Sequence, residues 1–181
     1  MVKIAIIISF KNFRDEEYFI PKEIFENNGF EVKTISTEKG IAIGGDGGEA
    51  EVDLCLSHLD IDEFDALVFV GGPGAYAFIE DESVWHIIRQ ARDKGKFLAA
   101  ICIAPAILAK AGVLEGKKAT IWSSSMDKKP IKILQENGAE YIDKAVVQDG
   151  KIITANGPSS AEEFGKSIVQ HLTNNPKFVI I

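Results

Sequence analysis

Residues 3–9 read KIAIIIS, an unbroken β-branched run with polar residues only at its ends. A strand with one wet face alternates apolar and polar side chains, so a continuous run marks a strand covered on both faces. It predicts a central strand of a parallel sheet, and parallel strands can be joined only by crossovers of about a dozen residues or more. The chain supplies such crossovers. Pro21 sits early in the amphipathic segment that follows and Asn28-Gly29 closes it, the placement that proline and glycine favour at the two ends of a helix. Further strands are predicted over residues 31–36, 65–70, 97–101 and 118–121, and helices over 83–94, 104–111, 130–137 and 160–172. Residues 41–54 carry Gly44, Gly45, Gly47 and Gly48 between two short extended pieces, and 145–155 turn at Asp149-Gly150; both are expected to be hairpins. Repeated β-α alternation predicts an α/β fold, a mostly parallel sheet sandwiched by helices.

No repeat, linker or shift in composition divides the chain, so residues 1–181 are expected to form a single domain. A content of 46% hydrophobic residues is enough for one well-filled core. The apolar ending Phe178-Val179-Ile180-Ile181 is expected to pack on that domain, with an oligomer contact as the alternative. Twenty Lys and Arg against 27 Asp and Glu give a charge of -7, which leaves no basic surface to track a phosphate backbone. Nucleic acid is not expected as a partner. No apolar run approaches the roughly 20 residues that span a bilayer, and no signal-peptide pattern follows Met1. No membrane association and a cytoplasmic location are therefore expected.

The two cysteines, Cys55 and Cys102, can form neither a disulfide framework nor a four-thiolate metal site. Each must be judged as a thiol. Cys102 lies between a predicted strand and a predicted helix in Ala100-Ile101-Cys102-Ile103-Ala104. This small-x-nucleophile-x-small order is the steric pattern of a nucleophile elbow, whose sharp turn admits only small residues two positions to either side. A thiol at a helix N-terminus faces free N–H groups that favour thiolate, so Cys102 is expected to be reactive. Cys55 lies in the alternating segment VDLCL and is expected to be packing.

The elbow, the Gly71-Gly72 turn and the Asp15-Glu16-Glu17 cluster together resemble the DJ-1/PfpI family, which groups PfpI-type peptidases with the Parkinson-disease protein deglycase. Its most specific stretches are residues 17–21, 70–74 and 99–105 and the Gly157-Pro158-Ser159-Ser160 segment before the last helix. The resemblance runs through nearly the whole chain and implies a flavodoxin-like three-layer α/β/α sandwich, assembled as a homodimer or higher homo-oligomer. It implies that Cys102 is the nucleophile and that Glu17, four residues before Pro21, contacts its sulfur. Gly72 and Ile103 take the positions whose backbone N–H groups would hold an oxyanion, a role open to any side chain. Gly71, Trp122, Ser123, Gly157, Pro158 and Arg14 are the remaining pocket candidates.

Two departures narrow the functional choice. PfpI-type peptidases carry histidine directly after the cysteine, where this chain has Ile103, and Trp122 stands where the deglycase branch often has another histidine. The histidine-bearing ending of glutamine amidotransferases is also absent, since the matching residues are Ala155-Asn156-Gly157-Pro158. Independently of the family, Glu17 and Cys102 cannot both be ionised in contact, so they should share one proton. The expected form is a protonated Glu17 donating to a Cys102 thiolate. His58, His86 and His171 lack a motif context and are expected at surface or core positions, and no metal site is proposed. The glycine cluster lacks the Lys-Ser/Thr of a phosphate loop. The expected function is a cofactor-independent cysteine enzyme acting on a small reactive carbonyl or a glycated protein or thiol. A PfpI-like peptidase or amidase and a cysteine-oxidation sensor are the alternatives.

Overall fold

The structure, a computed structural model, describes residues 1–174; the apolar ending of the chain lies outside them. The predicted central strand is β1 (Lys3–Ile7), and residues Ile4, Ala5, Ile6, Ile7 and Ile8 are all fully buried. It pairs in parallel with β3 (Glu31–Ser36) on one side and β7 (Ala66–Phe69) on the other. β8 (Phe97–Ile101), β12 (Ile152–Ala155) and β11 (Val146–Asp149) extend the sheet beyond β7, and β6 (Leu54–Cys55) closes the opposite edge. The seven-stranded order is β11-β12-β8-β7-β1-β3-β6, and only β11 runs antiparallel.

The sheet reverses its direction of growth at β1 and β7. Connections to β3 and to β8 run opposite ways, so right-handed crossovers place their helices on opposite faces. Helix α1 (Asp15–Asn27) packs with the closing helix α6 (Ala161–Thr173) in one layer. The other layer holds α3 (Glu82–Asp93), α4 (Pro105–Lys110) and α5 (Lys129–Glu136), with the single turn α2 (Tyr76–Ile79) against α4. This is the expected flavodoxin-like α/β/α sandwich. Ligand sites in such sheets lie outside the carboxyl ends of the strands, where the order reverses.

The predicted strand over 118–121 is a correction. Only Lys118–Ala119 is extended (β9), and it pairs with β10 (Glu140–Tyr141) in a separate two-stranded piece. The place beside β8 is taken by β12, whose four residues are all buried. The chain instead passes over the sheet end, where Thr120 N–H donates to Thr154 Oγ1 at 2.9 Å.

The glycine-rich excursion is a hairpin, β4 (Gly40–Gly44) with β5 (Glu49–Val52), joined to the short β2 (Lys11–Phe13). Its turn is clasped from inside the molecule. Asp15 accepts from the N–H groups of Gly48 at 2.7 Å and Asp46 at 2.9 Å. A β-carbon at Gly44 or Gly48 would lie within 2.5 Å of the Asp15 carboxyl group, so these glycines make room for a carboxylate rather than a phosphate. Replacing Asp15 by alanine removes both acceptors and should cost about 1–3 kcal/mol of stability. Urea denaturation measures the loss, and amide exchange should accelerate at Asp46 and Gly48 before the β1 amides are affected.

Candidate active site

Cys102 follows the last residue of β8 with φ +64, a left-handed conformation that few non-glycine residues adopt. The predicted elbow is present. Ala100 and Ala104, the small positions, are both fully buried. The strained residue is held from both sides: its N–H donates to Ala155 O and its carbonyl accepts from Trp122 N–H, each at 2.9 Å. These bonds tie the turn to the end of β12 and to the segment crossing the sheet end. Backbone in such a region persists only where its surroundings over-determine it.

Glu17 reaches the same place from the first turns of α1. It is completely buried, and its Oε2 accepts from Gly71 N–H at 3.0 Å. Oε1 is buried with no satisfied hydrogen bond, and the Cys102 side chain is the hydrogen-bonding group next to this carboxyl. A β-carbon on Gly71 would sit 2.6 Å from Cys102 Cβ and 2.8 Å from Glu17 Oε2. Gly71 is therefore the gap through which the two functional groups meet. Gly72, at φ +100, has Arg14 N and Asn12 O where a β-carbon would be, 2.5 and 2.6 Å away. Its N–H and that of Ile103 favour the charged form of Cys102, the effect expected of backbone donors that would also hold an oxyanion.

The two groups titrate as a pair. Burial raises the Glu17 carboxyl to about 7, against the opposing pulls of Cys102, Gly71 N–H and the Arg14 charge. Burial, then the Glu17 charge and hydrogen bond, push the Cys102 thiol up to about 12, while the Gly72 and Ile103 N–H groups lower it. Burial and mutual repulsion oppose charge on both groups, so above neutrality the pair holds one negative charge and one proton between sulfur and carboxyl. A base with a pKa near the working pH is the best compromise between availability and strength.

A cavity of about 270 Å³ opens onto the sulfur, lined by Arg14, Gly72, Pro73, Tyr76, Ile103, Trp122 and Pro158 around Cys102. Of the sequence candidates, Arg14, Trp122 and Pro158 form its wall. Gly71 lies between Cys102 Cβ and Glu17 Oε2, a β-carbon on Gly157 would meet the Trp122 ring at 3.5 Å, and Ser123 is not in the wall. Tyr76 was not legible in sequence, since an aromatic residue starting a one-turn helix carries no motif. Its hydroxyl is raised by burial, then by Asp127 and Cys102. Among the described residues no histidine lines the cavity: His58 and His86 are exposed, and His171 packs on Phe97 and contacts Gln148. No group of three or more metal-ligating side chains occurs among the described residues, and no helix there is long and apolar enough to cross a membrane. Cys55 is free and half-buried on the edge strand β6.

The family model described as "DJ-1/PfpI family" matches residues 2–171. The chain belongs to the DJ-1/PfpI family. Deglycase PfpI of Pyrococcus furiosus is 34% identical, over 92% of this chain and 98% of its own length. The crystal structure of a ThiJ/PfpI domain protein from Brachyspira murdochii superposes with a TM-score of 0.89 at 36% identity, covering 94% of this chain and 96% of that one. Drosophila melanogaster DJ-1beta gives a TM-score of 0.84 at 30% identity, covering 98% of this chain and 93% of its own. Within this DJ-1/PfpI chain the buried carboxyl has a measurable signature. Glu17 binds its proton more tightly folded than unfolded, so its contribution is full below about pH 4.5 and is lost as pH rises through about 7. Stability should fall by up to about 3 kcal/mol across that window. Glu17→Gln should flatten the profile, as read by denaturant titrations at pH 5 and pH 8.

Proposed function

We propose that this protein is a cofactor-independent cysteine enzyme that converts reactive carbonyl compounds, of the glyoxalase or deglycase type. The observation that carries the proposal is the placing of the Cys102 thiol, the Glu17 carboxyl and the Gly72 and Ile103 N–H groups around one small cavity. The relatives named deglycases support the same class of chemistry.

With methylglyoxal, Cys102 Sγ forms a bond to the aldehyde carbon while the C=O electron pair moves onto oxygen. Glu17 takes the thiol proton and passes it to that oxygen, giving a hemithioacetal. The N–H groups of Gly72 and Ile103 stabilise the oxygen while it is negative. Glu17 then moves the hydrogen of the former aldehyde carbon to the neighbouring carbonyl carbon while the hydroxyl proton passes to the neighbouring carbonyl oxygen, oxidising the first carbon and reducing the second. The resulting thioester is cleaved by water to lactate and free thiol. The sum is one water added to one methylglyoxal, with no external oxidant or reductant. Early glycation adducts would enter by the same addition. A peptidase needs a group to protonate a leaving amine, and the absence of histidine from the cavity wall among the described residues disfavours that alternative.

Cys102→Ser should abolish lactate formation from methylglyoxal, and Glu17→Gln should lower it by about 10²–10⁴-fold. Cys55→Ser should leave it unchanged. Lactate measured enzymatically decides the matter, and turnover that survives in Cys102→Ser would overturn the assignment.

A further inference from the structure

The cavity wall contains one charged side chain, Arg14; its other side chains are Pro73, Tyr76, Ile103, Trp122 and Pro158 around the thiol. That cation is incompletely paired. Arg14 Nε is buried without a hydrogen-bond partner, and Nη1 lies 3.7 Å from Asp46 Oδ2, beyond hydrogen-bond length. Asp46 is also 60% exposed, so water competes for it and a better-placed anion could replace it. The Arg14 charge is felt at Glu17, which puts it within electrostatic reach of the reacting groups. Asp127 acts on the opposite terms at the Tyr76 hydroxyl, so an anion is favoured beside Arg14 and disfavoured beside Tyr76. In a chain of net charge -7, an incompletely paired guanidinium fork in an apolar wall is a site for a carboxylate, which it can bind through two parallel hydrogen bonds.

We propose that Arg14 is a specificity-determining residue and that the substrate carries a carboxylate beside its reactive carbonyl, as in an oxoaldehyde adduct of a small amino acid or thiol acid. This rests on the carbonyl reading given above and narrows it. A cavity of about 270 Å³ holds several water volumes, and a three-carbon oxoaldehyde would fill only part of it. The remainder lies against Arg14.

Iodoacetate and iodoacetamide differ only in carboxylate against amide, and both alkylate thiols without any need for turnover. Their rates at Cys102 should be measured at pH 8, above the Glu17 titration at about 7, in a full-length Cys55→Ser background. The iodoacetate-to-iodoacetamide ratio should fall at least tenfold in Arg14→Gln, be partly kept in Arg14→Lys, and rise in Asp46→Asn, which removes the competing anion. Matched methylglyoxal adducts of N-acetylcysteine and its neutral amide should show the same order in kcat/KM, expressed mainly in KM. An unchanged alkylation ratio in Arg14→Gln overturns the role of Arg14 while leaving carbonyl turnover standing. A lowered ratio with no turnover of either adduct supports the anion site and overturns the carbonyl reading. If neither reagent modifies Cys102, both are overturned.

Discussion

The left-handed backbone at Cys102 is the constraint on which the site depends. At φ +64 the residue turns the chain from β8 toward α4 so sharply that its side chain projects beyond the sheet end. A turn of this kind is unfavourable on its own and must be held. The hydrogen bonds to Ala155 and Trp122 do so, which is why β12 and the segment after β9 end where they do. The neighbours must then be small: Ala100 and Ala104 at the flanks, and Gly71 across the gap, where any β-carbon would collide with Cys102 Cβ. Much of the sequence around the sheet end follows from making room for one strained residue.

The second consequence is electrostatic. Closing the gap at Gly71 brings a carboxyl and a thiol together where no water solvates either. Burial opposes charge on both, and the first charge opposes the second. The pair therefore carries one proton between its two members at and above neutrality. Reactivity does not require the thiolate to accumulate. It requires that the proton leave as the S–C bond forms, and a carboxylate titrating near 7 and touching the thiol provides that route.

These features were legible to different degrees. The buried runs at β1, β7 and β8 announced the sheet because a strand covered on both faces has no other composition. The elbow was equally visible, since steric limits act on residue size and size is written in the sequence. Competition for a place was not visible. Residues 118–121 have strand character, yet β12 fills the position they would take. The Asp15 clasp on Gly48 joins residues 33 apart in sequence through backbone amides, which leave no mark in residue type.

The pocket wall completes the electrostatic pattern. In the proposed addition of the thiol to a carbonyl, negative charge would pass from the carboxylate, through sulfur, to a new oxygen beside the Gly72 and Ile103 N–H groups. The charge would thus travel away from Glu17 and toward fixed donors, in a wall of mostly apolar side chains. A cation placed in such a wall acts strongly but also depresses the basicity of Glu17, as Arg14 does here. An anionic group on the substrate would cancel that cation on binding and leave Glu17 a stronger base once the site is filled. Recognition and activation would then be coupled through one guanidinium, with the base at its weakest in the empty site and strengthened by the molecule it is to act on.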